Sequence, residues 1–275
     1  GNTFALSHVY ADNGTYTVTT TVTDDNGGAV TDTLVVTVNN VAPTITSVTN
    51  NGPVNEGSSA TITVNATDPA GANDPLTYEF DANNDGTYEI GPQPGNSTSH
   101  MFGDNGSFQV NVRVSDGDGG VTTGFTTVVV NNVAPTATFN ASSPVNEGSP
   151  ITLSLTGASD PSSADTTTGF TYAFDGGDGS GYGSFGSGNS ATFPTTDNGT
   201  RAVKGKIRDK DGGVTEYTAS VTVTNVAPTI ISVTNSGPIS EGSSATITVT
   251  ATDPAGANDP LSYEFDANND GTYEV

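Results

Sequence analysis

The 275-residue sequence has no cysteine, no tryptophan and one methionine, and it sets six lysines and arginines against thirty aspartates and glutamates. Without cysteine, no disulfide staples the fold and no thiol serves as nucleophile. The formal charge of −24, in a chain where 13% of residues are charged, excludes nucleic acid and anionic membrane surfaces as natural partners. The same charge suits cations and a well-solvated surface. No apolar run approaches the length of a membrane span, so no direct membrane insertion is expected. Helix signals are nearly absent as well. No signal peptide opens the chain, and the first residues "GNTFALSHVY" read as the inside of a domain, which leaves room for a leader upstream.

What the sequence does have is a repeat. "NVAPT" occurs at Asn40–Thr44, Asn132–Thr136 and Asn225–Thr229, 92 and 93 residues apart. Asp12, Asp104 and Asp197 each open a "DNG" turn, and "DDNGG", "DGDGG" and "DKDGG" at 24–28, 116–120 and 209–213 keep the same step. Within a period the apolar residues alternate as in half-buried strands: Ala60, Ile62, Val64 and Ala66; then Leu76, Tyr78 and Phe80; then Phe108, Val110, Val112 and Val114; then Val128 and Val130. Some seven short strands, with Gly/Asn/Asp turns every 8–12 residues, predict an antiparallel sandwich per period and an all-β chain. The predicted divisions are a C-terminal half-domain at 1–40, complete domains at 41–132 and 133–225, and an N-terminal half-domain at 226–275.

The residues "YEFDANNDG" and "YAFDGGDG", with "SHVYADNGTYTVTTTVTDDNGG" and "SHMFGDNGSFQVNVRVSDGDGG", resemble the PKD (polycystic kidney disease-type) domain. They stand where that family has its aromatic–Phe–Gly–Asp–Gly turn, His–x–aromatic pair, Val-rich strand and Asp–Gly turn. The resemblance covers essentially the whole chain and implies tandem immunoglobulin-like sandwiches, arranged as an extended rod, in an extracellular bacterial or archaeal surface or filament protein. It departs from the family in lacking tryptophan on the strand before the loop. "ATDPAGANDPLTY" and "VNNVAPT" are loosely similar to cadherin-like domains too, but the linker lacks the aspartates those domains use for calcium.

The loop "DANNDGTYE", at 81–89 and again at 266–274, is a candidate calcium site. Asp81, Asn83 and Asp85 fall at positions 1, 3 and 5 of a D-x-N-x-D-G loop. Gly86 makes the turn, Thr87 can offer its carbonyl at position 7, and Glu89 stands at position 9. Hard cations take six to eight oxygens around such a turn. Pro92 replaces the bidentate glutamate of position 12, so affinity should be modest. The competing reading is a plain turn satisfied by local hydrogen bonds. Asp266, Asn268, Asp270, Thr272 and Glu274 repeat the ligand set, whereas the middle copy offers Asp175 and Asp178 alone and is expected to hold no cation. Glu56, Glu147 and Glu241, with Asp68 and Asp253, could cluster at domain ends. Solvated turn carboxylates are the plainer expectation for them.

No constellation points to catalysis. His8 and His100 occupy one repeat position, which Phe193 fills in the next copy, so packing explains them better than acid–base chemistry. The three lysines, Lys204, Lys206 and Lys210, lie in one domain, which excludes a general lysine–asparagine crosslink. Glycans are possible partners at Asn13, Asn65, Asn96, Asn105, Asn140 and Asn198, each in an Asn-x-Ser/Thr sequon.

The function expected is structural: a repeat segment of a long extracellular filament, stalk or surface-layer protein, with short linkers and calcium stiffening it. The alternative is an adhesin or accessory module of a secreted protein that binds polysaccharide or protein, with "GYGSF" at 181–185 the one aromatic candidate. Residues 44–90 and 229–275 agree at 40 of 47 positions. The two terminal halves are therefore expected to be completed by copies of the same unit, end to end, through a continuing array or through strand exchange, with Val275 near Gly1 of the neighbour.

Overall fold

The computed structural model describes residues 1–274, and Val275 lies outside them. Strands dominate. The one α-helix among the described residues is the six-residue turn Ser163–Thr168, with Asp165 in its first turn, a short piece that the strand-dominated sequence does not announce. The chain forms two compact units, residues 1–133 with 161–163, and 134–160 with the residues from 164 on.

In the first unit a hairpin, β1 (Gly14–Thr23) and β2 (Ala29–Val38), precedes a sandwich. One layer of the sandwich is β3 (Thr44–Asn50), β5 (Ser59–Thr67) and β8 (Ser97–Met101), in the order β3-β5-β8. The other runs β4-β10-β9-β6-β7, from β4 (Val54–Asn55), β6 (Thr77–Asp81), β7 (Ile90–Gln93), β9 (Gly106–Ser115) and β10 (Val121–Asn131). All pairings are antiparallel except the short β4–β10 ladder. The predicted alternation is what fills the space between the layers. Ala60, Ile62, Val64, Phe80, Val110, Val112, Val114 and Val128 are fully buried, and Tyr78, Phe102 and Val130 nearly so. Threonines and asparagines between them face water, so a chain only 32% hydrophobic still closes a core.

The second unit repeats the plan. β11 (Thr136–Ala141), β13 (Ile151–Ser159) and β15 (Ser190–Phe193) form one layer, and β12 (Val145–Asn146), β14 (Thr171–Asp175), β16 (Gly199–Arg208) and β17 (Val214–Thr224) the other. Ile151, Leu153, Leu155, Val203, Ile207 and Val221 are its fully buried centre. A partner for β14 equivalent to β7 shrinks to one bridge, Tyr172 to Gly186. A two-stranded sheet, β18 (Thr229–Asn235) and β19 (Ile247–Thr252), follows.

The terminal pieces expose what the complete copies bury. Val22 is 63% exposed, whereas its repeat equivalent Val114 is at 0%. Leu34, Ile230, Val233 and Ile247 are likewise exposed, although Ile62, the equivalent of Ile247, is fully buried. The hairpin β1–β2 corresponds to β9–β10, and β18–β19 to β3–β5.

Candidate metal centres

Asp81 ends β6, where the strand turns away and the register sets it opposite Asn111 on β9. It is fully buried. Its Oδ1 accepts from the Asp85 N–H at 3.2 Å, and its Oδ2 from the Gly86 N–H at 3.0 Å and Asn111 Nδ2 at 3.1 Å. Asn83 Oδ1 accepts from the Asp85 N–H at 3.0 Å, and Asn83 Nδ2 donates to Asp85 Oδ2 at 3.1 Å. The Thr87 N–H donates to Asp85 Oδ1 at 2.8 Å, and this bond holds the Asp85 carboxyl below its usual range. Glu89 reaches back, its Oε2 accepting from the Ala82 N–H at 3.4 Å. Asn84 at φ 59° and Gly86 at φ 90° provide the left-handed backbone that closes the loop.

The sequence-predicted ligands thus converge. Asp81, Asp85 and Glu89 each place an oxygen within 4.8 Å of the others. The hydrogen bonds of a plain turn are present as well, and the two arrangements are compatible because a carboxylate has about four lone-pair sites. The donor set fits a hard cation: three carboxylates and the Asn83 amide oxygen, with the remaining positions of a calcium shell left to water or backbone carbonyls. Asn111, which fixes Asp81 from the neighbouring strand, carries no signal in the loop spacing and becomes visible only through the β6–β9 register.

The second copy reproduces the geometry. The Asp270 N–H donates to Asp266 Oδ1 at 3.2 Å and Asn268 Oδ1 at 3.0 Å, the Gly271 N–H to Asp266 Oδ2 at 2.9 Å, and the Thr272 N–H to Asp270 Oδ1 at 2.8 Å. Glu274 Oε2 accepts from the Ala267 N–H at 3.0 Å. In the middle copy Asp175 and Asp178 cap their own turns, accepting from the Gly177 and Ser180 N–H groups at 2.8 and 2.9 Å. Opposite Asp175 stands Lys204, where the first copy has Asn111. An ammonium at that register position opposes a cation.

Two of the domain-end acids are not the solvated carboxylates expected of them. Glu56 and Glu147 are buried, 1% and 2% exposed. Each turns an oxygen onto the linker that follows its sandwich: Glu56 Oε1 accepts from the Val133 N–H at 2.7 Å, and Glu147 Oε1 from the Val226 N–H at 2.6 Å. They fix the first valine of each Val-Ala-Pro linker. Glu241 is exposed. Asp68 and Asp253 cap their turns through the Ala70 and Ala255 N–H groups, both at 2.8 Å.

The aromatic candidate surface is roofed by cations. Lys206 Nζ lies 4.2 Å from the Tyr182 ring centroid, and Arg208 Cζ lies 4.1 Å from that of Phe185. Burial, with Glu216 nearby, pushes the Tyr182 hydroxyl up to about 12. The histidines stack on their own strand neighbours, His8 against Tyr10 and His100 against Phe102, edge to face at 4.8 and 5.0 Å.

The sequence profile of the PKD domain matches residues 2–38 and 40–130. No curated protein matches the chain. Among solved structures, the fibronectin(III)-like modules of Clostridium thermocellum CbhA are 16% identical over 64% of this chain and 94% of that one, with a TM-score of 0.26. The immunoglobulin domains 1–5 of Sidekick-1 are 14% identical over 83% of this chain and 50% of theirs, at 0.38. The human Desmocollin-1 ectodomain is 17% identical over 71% and 40%, at 0.27. Superpositions this loose do not fix a fold, which stands instead on the strand order and register above. The strand order and register show two-layer, largely antiparallel, immunoglobulin-like sandwiches in tandem, and the PKD-domain profile matches the first hairpin and the first sandwich.

Proposed function

We propose that this chain is a non-catalytic structural segment of a long extracellular filament, stalk or surface-layer protein, built from repeats that complete one another. The observation that carries the reading is the pair of exposed apolar faces. The β1–β2 hairpin presents Val22 and Leu34 to solvent, and the β18–β19 sheet presents Ile230, Val233 and Ile247. Their equivalents in residues 41–132 are the two facing layers of one sandwich. A copy of each, brought together, would bury on each side the kind of face that Ile62 and Val114 bury in the complete domain. Exposed hairpins with such faces are unstable alone. Calcium in the loops at Asp81 and Asp266 belongs to the same reading, as a structural ion. The net charge of −24 keeps the outer surfaces from sticking indiscriminately.

Light scattering coupled to size exclusion tests the association. The purified 275-residue segment should grow in mass with concentration, and Val22→Lys should hold it at the monomer mass. A segment that stays monomeric at every concentration counts against the proposal. The binding-module alternative is disfavoured by the covered rings of Tyr182 and Phe185, and a glycan array with the same segment distinguishes it.

A further inference from the structure

The first unit contains a second cluster of acids, away from the Asp81 loop, where the β1–β2 hairpin meets the end loops of the sandwich. Asp12 opens the turn before β1. Asp68 and Asp74 flank the connection from β5 to β6, and Asp116 and Asp118 form the β9–β10 turn. Asp12, Asp74 and Asp118 each bring an oxygen within 4.8 Å of the others, as do Asp68, Asp74 and Asp116. Asp12, Asn13, Asp68 and Asp74 line a cleft of about 90 Å³ in which no lysine, arginine or histidine is among the lining residues.

Asp74 separates this cluster from a patch of solvated carboxylates. It is 2% exposed, and its Oδ1 has no hydrogen-bond partner. The side chains that face it are acids too, Asp12, Asp118 and Asp68. Asp68 Oδ2 and Asn13 Oδ1 are also buried without a partner. A buried carboxylate facing acceptors alone is costly unless a proton or a cation lies between them. Asp116 differs: the Asp118 and Gly120 N–H groups satisfy its Oδ1, both at 2.9 Å, and Asn40 Nδ2 its Oδ2 at 2.8 Å. It positions the turn and the linker residue Asn40.

We infer that this junction is a divalent-cation site, calcium by its all-oxygen donors, held by Asp74 Oδ1, Asp68 Oδ2 and the carboxylates of Asp12 and Asp118. Calcium takes six to eight oxygens, and here three loops contribute four carboxylates toward that shell, with water or backbone carbonyls to fill the rest. The ion ties the hairpin to the sandwich across a linker whose other direct ties include Asn40 to Asp116 and Asn73 Nδ2 to the Ala11 carbonyl at 3.1 Å. The second unit holds a related cluster 185 residues on, with three of the four acids in equivalent positions. Asp197, Asp259 and Asp253 stand 185 residues after Asp12, Asp74 and Asp68, Glu147 takes the place of Asp118 within 4.8 Å of Asp197 and Asp259, and Asn258 Nδ2 donates to the Thr196 carbonyl at 2.7 Å. Asp12, Asp68 and Asp74 therefore belong to the repeat, and their counterparts Asp197, Asp253 and Asp259 carry the same proposal in the second unit.

Calorimetric titration of the EDTA-stripped chain with CaCl2 tests this. The double variant Asp74→Asn/Asp259→Asn should lose two binding events that Asp81→Asn/Asp266→Asn keeps. Asp12→Asn/Asp197→Asn changes only turn residues at the cleft and should weaken the same two events about tenfold or more, since ligand charge sets calcium affinity on that order. It carries the test if the substitution at the buried Asp74 fails to fold. Calcium binding that the Asp81→Asn/Asp266→Asn variant abolishes outright overturns the inference, as does an unchanged stoichiometry and affinity in both junction variants. A wild-type titration that shows the junction events and none that Asp81→Asn/Asp266→Asn removes would leave the junction sites standing and refute only the loops.

Discussion

Replacing Asp81 by asparagine separates the two roles of its carboxylate. Without a cation, the side chain accepts from the Asp85 and Gly86 N–H groups and from Asn111. An asparagine offers one oxygen and one NH2 group to the same three donors, so at least one buried donor loses its acceptor, at a cost of about 1–3 kcal/mol. With calcium present, the variant also loses the central ligand of the loop. A site occupied at 100 times its dissociation constant stabilises by about 2.7 kcal/mol, or roughly a hundredfold slower opening-limited amide exchange. Hydrogen exchange read on the segment 81–90 reports this locally, free of any ion bound at the junctions. In the wild-type chain CaCl2 should slow exchange there roughly a hundredfold relative to EDTA. Asp81→Asn should exchange faster than wild type under both conditions and show no difference between them. Equal wild-type exchange with CaCl2 and with EDTA would refute the reasoning, leaving a turn satisfied by its own hydrogen bonds.

Glu79 and Arg113 form a two-pronged pair, Nε to Oε2 at 2.6 Å and Nη2 to Oε1 at 2.9 Å, and the arginine's hydrogen bond lowers the Glu79 carboxyl from 4.5. A lowered folded value means stability that is complete above about pH 4.5 and lost as pH falls through the folded value. Glu79→Gln should therefore flatten the acid limb of a denaturation profile and cost about 0.5–1 kcal/mol at neutral pH, since Arg113 is 39% exposed. Phe80→Ala, at a fully buried position between the layers, should cost about 3–5 kcal/mol in urea unfolding, whereas Thr61→Ala on the outer face of β5 should stay within about 0.5 kcal/mol. Gly91 sits at φ 103° with the place of a Cβ only 2.4 Å from the Tyr78 carbonyl oxygen, so Gly91→Ala should destabilise by at least about 1–3 kcal/mol and disturb the β6–β7 pairing.

The sequence made the sandwich legible because the inward positions at the centre of β5 and β9 are apolar and the turns carry their own Gly, Asn or Asp. Ala60, Ile62 and Val64, then Val110, Val112 and Val114, occupy the core as their spacing requires. The convergence of Asp81, Asp85 and Glu89 was legible for a related reason: these oxygen donors lie within nine residues, so local spacing alone brings them together. Asn111 was not, since it reaches Asp81 across a strand pair thirty residues distant in the chain. Asp74 was hidden for the same cause. It stands in "ANDP" like any turn acid, and its burial arises only when Asp12, sixty-two residues earlier, and Asp118 fold against it. Glu56 and Glu147 read as surface acids because nothing in "NEGS" shows that a linker amide arrives seventy-seven or seventy-nine residues later to meet them.

The central claim is that neighbouring repeats complete the terminal half-sandwiches, and an electron cryomicroscopy reconstruction of the native assembly tests it most directly. The account predicts a β18–β19-type sheet packed over each β1–β2-type hairpin, with Val22 and Leu34 as buried as Val114 is in residues 41–132. An assembly in which those hairpin faces remain open to solvent would contradict it.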